Sequence, residues 1–195
     1  MNPITEARLA AALDSVPPGD SGLRARIVAD LALSLHHSGR TDEAAARAGE
    51  ARELAEAAAD RLALAQAHNM LGVLARTDGD LTTARTELEH SIALAEELDE
   101  APAQVAALNN LALAERDAGE LDRALELTGR ARELCAAYGD RHREAALENN
   151  LADLYHAAGR DDEAMAHLKR AVAIFAEVGA DEATRLPEIW KLVSW

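Results

Sequence analysis

The side chains of this sequence best suited to hold a metal ion are its seven histidines, which are His36, His37, His68, His90, His142, His156 and His167. A zinc hydrolase would need a motif such as His-Glu-x-x-His, which places two ligands and a base on one helical face. The sequence lacks that motif. No set of carboxylate and histidine recurs at ligand spacing along a helix, and adjacent histidines point in different directions. We therefore predict no metal site and no cofactor.

Nucleophilic and acid–base chemistry is equally weakly indicated. Cys135 is the only cysteine, and a lone helical cysteine is usually a small packing residue unless a base activates it. The 35 acidic residues follow the polar phase of their helices, whereas a catalytic carboxylate pair needs burial to shift its pKa. Neither a GxGxxG nor a GxxxxGK phosphate loop is present. We predict no catalytic residues and no enzymatic activity.

The charge and composition of the chain limit the classes of molecule that it is expected to bind. The formal net charge is −15, and the sequence has no cluster of Lys and Arg able to neutralise phosphates, so the composition disfavours nucleic acid and anionic membranes as partners. No apolar stretch approaches the roughly 20 residues of a membrane span, and the N-terminus does not resemble a secretory signal. We expect a soluble cytoplasmic protein, and the Arg- and Ala-rich composition favours a bacterial source.

The elements that must position any functional side chain are revealed by internal repetition. Four glycines follow one another at intervals of 40 residues: Gly39, Gly79, Gly119 and Gly159. An alanine lies five residues after each of these glycines, and a leucine lies eight residues before it. The residue after that leucine is always small. This phase predicts four copies of one structural unit.

Each repeated glycine separates two stretches whose apolar residues are spaced by three and four. A glycine just past a helix end adopts the left-handed conformation that closes the last turn, so the unit is helix, tight turn, helix. We predict first helices at 22–37, 61–77, 101–117 and 141–157, and second helices at 42–58, 81–98, 121–138 and 161–178. Helix starts are predicted to be capped, or made acidic, by Asp42, Thr82, Asp122 and Asp162. Turns between units are predicted at Asp60, Asp99, Gly139–Asp140 and Gly179.

The predicted fold class is all-α, a right-handed α-solenoid of four two-helix repeats with N- and C-terminal capping helices. We predict a single domain over 1–195, comprising a capping helix in 1–20, repeats at 21–60, 61–100, 101–140 and 141–180, and a C-terminal capping helix in 181–195. Trp190 is expected to cover the end of the last repeat. With Trp195 it would leave an apolar end if uncovered, and a homodimer is a further alternative.

The repeat resembles the tetratricopeptide repeat, with which the third unit shares Leu108, Leu111, Ala112, Gly119, Ala124 and Ala131. Most aromatic residues of that consensus are missing, although Tyr155 is retained, and the period of 40 exceeds the familiar 34. This long variant is similar to kinesin light chain and to bacterial regulators with such arrays. The resemblance covers roughly residues 22–179 and implies a fold rather than one function.

The resemblance also implies a concave groove lined by the first helices. The groove residues it indicates are Arg26, His36, Gln66, Asn69, Arg76, Asn109, Arg116, Asn149, Asp153 and His156. An amide can donate to and accept from the backbone of an extended peptide, so Asn69, Asn109 and Asn149 form a predicted peptide-binding column. Ala29 occupies that position in the first repeat, which predicts tighter contacts in repeats two to four. Arg76 and Arg116 are expected to pair with ligand carboxylates.

The sequence is also compatible with structural roles for these residues. The asparagine column could be a structural ladder between repeats, Asn110 and Asn150 could support helix packing, and the arginines could be solvated surface charges. For the whole chain we expect a non-enzymatic adaptor that binds a protein or an extended peptide. The alternatives are a sensor module of a bacterial transcription regulator or signalling system, and an accessory subunit or scaffold for a biosynthetic enzyme.

Overall fold

The structure, a computed structural model, describes the backbone of residues 3–181 and the side chains of residues 6–179. Within residues 3–181 the chain forms helices joined by short turns and contains no strand. The helices are α1 Pro3–Ser15, α2 Ser21–His37, α3 Thr41–Ala58, α4 Arg61–Thr77, α5 Leu81–Glu97, α6 Ala101–Asp117, α7 Leu121–Tyr138, α8 Arg141–Ala157 and α9 Asp161–Asp181. The predicted all-α class and its four helix pairs are confirmed.

The bounds of α2 to α8 agree with the predicted bounds to within one residue. The exception is the end of α9, which continues through Gly179 to Asp181, so the predicted turn at Gly179 is wrong. Glycine permits the left-handed conformation without requiring it, and its neighbours Val178 and Ala180 are compatible with a helix. The predicted C-terminal helix with Trp190 lies beyond the described residues.

The turn inside each repeat has the predicted left-handed glycine. The φ angles of Gly39, Gly79, Gly119 and Gly159 are +76°, +81°, +83° and +71°. At Gly79 the N–H donates to the Arg76 carbonyl at 3.0 Å, and the Asp80 N–H donates to the Ala75 carbonyl at 2.9 Å. These bonds satisfy carbonyls that the helix end would otherwise leave unpaired.

Four helices are capped by the aspartate that directly precedes them, and three of the four residues predicted as caps or acidic first-turn residues have the second of those roles. Asp20, Asp60 and Asp140 cap α2, α4 and α8 through their carboxylates, and Asp80 caps α5 by accepting from the Thr83 N–H at 3.0 Å. The predicted caps lie inside their helices, because each helix starts two residues after its glycine. Asp42, Asp122 and Asp162 are the acidic first-turn residues of α3, α7 and α9, where a negative charge complements the helix dipole. Thr82 has neither role.

The chain divides into two compact units, Met1–Ala114 and Glu115–Trp195. In the first unit α2 packs on α3, α3 on α4 and α4 on α5, while α1 packs on α2. Its buried residues are mainly leucine and alanine, for example Leu35 and Ala48. In the second unit α8 packs on both α7 and α9. None of the described helices is long and apolar enough to span a membrane.

One helix pair of the first unit approaches unusually closely. A Cβ atom placed on Gly72 of α4 would lie 2.5 Å from Leu88 Cγ and 3.2 Å from the carbonyl oxygen of Ala84, both in α5. Leu88 is fully buried. In the first repeat the two corresponding positions are Ala32 and Ala48, which pack in one cluster. In these two repeats the small residue after the repeated leucine therefore matches the size of the side chain at the facing position.

Candidate functional site

All ten predicted groove residues lie on the first helices of the repeats. They are Arg26 and His36 on α2, Gln66, Asn69 and Arg76 on α4, Asn109 and Arg116 on α6, and Asn149, Asp153 and His156 on α8. Arg26, Gln66 and His156 are exposed, and the others are half-buried. Half-burial suits a contact surface, because such side chains are oriented by their neighbours yet still reach solvent. The first unit contains the members up to Asn109, and the second unit contains the rest.

Asn69 forms a hydrogen bond between two repeats. The Nδ2 of Asn110 on α6 donates to the Oδ1 of Asn69 on α4 at 2.9 Å. A structural asparagine ladder between repeats would contain bonds of this kind. An amide oxygen has two lone pairs and its nitrogen two hydrogens, so the bond orients Asn69 without exhausting its capacity for a ligand.

Asn149 belongs to a polar group on the second unit. Its Nδ2 donates to Asp153 Oδ2 at 3.4 Å, one helical turn along α8. Burial raises the pKa of Asp153 above its ordinary value, and the nearby charges of Arg116 and His156 oppose that shift. Arg116 also donates to Asp117 at 3.0 Å. The structure thus brings four predicted site residues of this unit together.

His36 and Arg76 form the corresponding polar group of the first unit. The Nδ1 of His36 is buried and has no hydrogen-bond partner among the described residues. The pKa of His36 is lowered by burial, and the charges of His37 and Arg76 lower it further. A histidine with a lowered pKa is neutral at pH 7. The positive charge of this group therefore resides on Arg76.

The lowered pKa of His36 predicts a dependence of stability on pH. The unfolded chain takes up this proton near pH 6.5, before the folded chain does, so stability should fall as the pH drops below about 6.5. Replacing His36→Gln should reduce the loss of unfolding free energy between pH 7.5 and pH 5.5. Urea unfolding at both pH values measures this loss of unfolding free energy, with Gln66→Ala as a control that removes no titratable group. An unchanged loss in the His36 variant would contradict the assignment.

Arg26 has a structural partner. Its guanidinium binds the carboxylate of Asp60 with distances of 2.9 Å from Nε and 2.7 Å from a terminal nitrogen. Asp60 also accepts from the Ala63 N–H as the cap of α4. Burial raises the pKa of Asp60, but the backbone bond from Ala63 and the contact with Arg26 together bring it below its ordinary value. Arg26 therefore connects α2 to the start of α4.

Two buried acidic residues contradict the expectation that all carboxylates follow the polar phase. Glu115 is 4% exposed and Glu148 is 2% exposed. Glu148 lies 2.7 Å from His167 Nδ1 and 3.4 Å from a terminal nitrogen of Arg132. The ring of His167 stacks on Tyr155 with centroids 4.9 Å apart. A buried carboxylate needs such partners, so Glu148 belongs to an ion cluster of the α7–α8–α9 core.

The positions of these residues relative to the repeated glycines could have indicated this cluster from the sequence. Glu148 and His167 lie eleven residues before and eight residues after Gly159. His68 and Glu87 occupy the same two positions around Gly79, with the residue types exchanged, and the nearest atoms of that pair are 2.6 Å apart. A residue-by-residue alignment of the repeats would therefore have predicted both pairs.

The comparisons with known proteins agree with this architecture. Residues 104–177 match the tetratricopeptide repeat family. No curated protein sequence gives a significant match to the chain. The crystal structure of BtubC (BKLC) from P. vanneervenii is 23% identical, with a TM-score of 0.76 over 89% of this chain and 73% of that one. The putative kinesin light chain of Podosopora anserina, with nearly identical TPR-like repeats, is 21% identical, with a TM-score of 0.63 over 89% and 85% of the two chains.

A third similar structure is the Rap conjugation gene regulator of the plasmid pLS20, solved in complex with a peptide. It is 14% identical, with a TM-score of 0.74 over 96% of this chain. The present chain spans only 56% of that regulator. At such identities the likeness concerns the fold alone. The chain therefore has the tetratricopeptide-repeat fold, and the predicted resemblance to that family and to kinesin-light-chain-type repeats is confirmed.

Proposed function

We propose that this chain is a non-enzymatic adaptor that binds an extended segment of a protein or peptide on the polar face of its first helices. The observation that carries the proposal is the repeated, half-buried asparagine at one position of the tetratricopeptide repeat, Asn69, Asn109 and Asn149. Half-buried amides contact a peptide backbone without depending on its side chains. The Rap regulator, which shares the fold, was solved with a peptide bound.

The charged residues of this face suggest what the ligand carries. Arg76 and Arg116 lie seven residues after Asn69 and Asn109, two helical turns along the same face. An arginine in this setting pairs with a carboxylate through two hydrogen bonds. The net charge of the chain, −15, disfavours acidic ligands that reach beyond the arginines. We expect a short segment with one or two carboxylates and an otherwise neutral or basic sequence.

The test is a selection followed by affinity measurement. The full chain is used to select from a phage-displayed library of random linear peptides, and the best peptide is labelled for fluorescence polarisation. Each of the changes Asn109→Ala and Asn149→Ala should weaken binding by about 2- to 13-fold, the equivalent of 0.5–1.5 kcal/mol for a neutral hydrogen bond. Arg116→Ala should weaken binding to peptides with a carboxylate and leave binding to their amidated versions unchanged.

The chain offers a matched control one position away. Asn150→Ala removes the same chemical group from a residue outside the proposed asparagine column, so peptide affinity should stay within twofold of the wild-type value. Circular dichroism checks that every variant is folded. The adaptor proposal fails if no linear peptide is selected, and the asparagine mechanism fails if a selected peptide binds the Asn109 and Asn149 variants as tightly as the wild type.

A second candidate function is favoured by the likeness to the Rap conjugation gene regulator. In that case the chain is the peptide-sensing module of a regulator, and peptide binding changes its contact with another protein. A pull-down from native lysate with and without the selected peptide distinguishes the two functions. A partner that is released or recruited by the peptide supports the sensor function, whereas a partner displaced only by competition at the same face supports the adaptor.

A further inference from the structure

Two histidines and a glutamate meet in the second repeat. His68 on α4 and Glu87 and His90 on α5 each offer one ligand atom, and these atoms lie within 4.8 Å of one another. His68 Nδ1 is 2.6 Å from Glu87 Oε2, and the rings of His68 and His90 are 5.2 Å apart at 62°. The side chains of His68 and Glu87 are 14% and 17% exposed, while His90 is exposed.

The donor atoms are those of an open zinc site. Two imidazoles and one carboxylate, with a fourth position left for water, form a common three-residue zinc set. Metal–ligand bonds of about 2.0–2.2 Å in tetrahedral geometry place ligand atoms about 3.3 Å apart. His68 Nδ1 and Glu87 Oε2 are closer than that, at 2.6 Å, and all three ligand atoms lie within 4.8 Å, so rotation of the side chains is sufficient. The exposed His90 provides the path by which an ion enters.

The spacing of Glu87 and His90 along α5 allows both side chains to bind one ion. Glu87 and His90 are three residues apart, which places them on the same face of the helix, and His68 reaches them from the adjacent helix. Nitrogen donors disfavour Mg²⁺ and Ca²⁺, which prefer oxygen. Such a set favours Zn²⁺ and its neighbours in the first transition series.

The fourth repeat shows how the same positions are balanced without a metal ion. Glu148 and His167 occupy the positions of His68 and Glu87, but Arg170 takes the position of His90. Arg170 lies 4.0 Å from Glu148, and Arg132 lies 3.4 Å from it. The carboxylate there has guanidinium groups as its cations. In the second repeat the imidazole of His90, which can coordinate a metal ion, stands where Arg170 supplies charge.

From this comparison we propose that His68, Glu87 and His90 form a Zn²⁺ site that joins α4 to α5. Sequence patterns predicted no metal site, because only two of the three ligands share a helix. The ion takes the place of the cation that arginine supplies in the fourth repeat. Binding replaces the direct contact between His68 and Glu87 with bonds from both side chains to the ion, so coordination as well as packing holds the helix pair of the second repeat together.

The experiment uses the full chain, stripped with chelator and titrated with ZnCl₂ by calorimetry. We expect one site, a rise in Tm on zinc addition and no response to MgCl₂. The change His90→Ala should weaken zinc affinity at least tenfold and remove the Tm rise, because one of three ligands is lost. His90 is exposed, so this variant should fold, and Glu87→Gln provides a second variant that keeps the shape of the side chain.

A control histidine separates this site from adventitious binding. His142 lies outside the cluster, and His142→Ala should retain wild-type zinc affinity. Cobalt adds a spectroscopic readout, because a four-coordinate Co²⁺ complex gives visible absorption that His90→Ala should abolish. The proposal is overturned if the stripped chain does not bind zinc at 100 equivalents of metal, or if the His90 and Glu87 variants bind zinc as the wild type does.

Discussion

Replacing Leu88→Ala should lower the free energy of unfolding by about 2–5 kcal/mol, because it removes a fully buried side chain and leaves a cavity. Leu88 lies directly above the backbone of Gly72, where an added Cβ would be only 2.5 Å from Leu88 Cγ. That contact is shorter than any relaxed packing allows. Gly72→Ala should therefore be destabilising by about 1–3 kcal/mol through overpacking, despite the better helix propensity of alanine.

The two changes together should cost less than their sum. The methyl group added at position 72 occupies part of the space vacated by Leu88, and the resulting pair is the one that the first repeat contains naturally as Ala32 and Ala48. Coupling of about 1–2 kcal/mol is expected for residues in such direct contact. Urea unfolding followed by circular dichroism at 222 nm measures all three variants.

Gly49 supplies the matched control for Gly72. It also lies inside a helix, α3, but a Cβ placed on it would meet nothing within 4 Å. Gly49→Ala should therefore stabilise the chain by about 0.5–1 kcal/mol through helix propensity alone. Additive effects of the Gly72 and Leu88 changes, or a stabilising Gly72→Ala, would show that size matching between α4 and α5 is not what selects glycine.

The helices and turns were predictable because their causes are local. A glycine with φ between +71° and +83° closes each in-repeat turn, and the hydrogen bonds it makes depend only on residues within five positions. The same locality explains the errors. Gly179 is surrounded by residues that continue a helix, so its presence alone did not end α9. The cap of α5 is Asp80 rather than the predicted Thr82, because capping depends on the exact first helical residue.

The side-chain partners of the candidate site were predictable only in part. The repeat period predicted that the asparagines lie on the first helices, and the structure shows them there in half-buried positions. The bond from Asn110 to Asn69 joins residues 41 apart, and the contact of Arg26 with Asp60 joins residues 34 apart. Such contacts depend on the distance and angle between neighbouring repeats, which hydrophobic periodicity does not specify. The same limit concealed the convergence of His68, Glu87 and His90.

Replacing Glu148→Ala, which removes the buried carboxylate of the fourth repeat, should lower the free energy of unfolding by about 2–4 kcal/mol. It deletes the partner of His167 and of Arg132, and breaking a buried ion pair leaves an uncompensated charge. The value lies below the full cost of a buried pair because the Arg132 side chain is 31% exposed and can regain water. Urea unfolding at pH 7.5 provides the measurement.

Replacing both Glu148 and His167 with apolar residues should recover most of the lost unfolding free energy. The third repeat has Leu108 and Leu127 at the two positions, and both are buried. The double change Glu148→Leu with His167→Leu should therefore lie within about 1 kcal/mol of the wild type, since well-packed apolar groups often equal a buried ion pair.

Glu133 provides the control for the carboxylate of Glu148, because it contacts the same arginine at 3.4 Å but is 74% exposed. Glu133→Ala should change the unfolding free energy by less than about 1 kcal/mol, as exposed pairs do. If the double leucine variant is as unstable as Glu148→Ala, the fourth repeat requires its ion cluster for folding. If Glu148→Ala matches Glu133→Ala, the cluster contributes nothing. We expect Glu148→Ala to be the least stable of these variants, with the double leucine variant and Glu133→Ala close to the wild type. In that case stability is lost only when part of the ion cluster is removed, and the repeat tolerates either a complete ion cluster or an apolar pair at these positions.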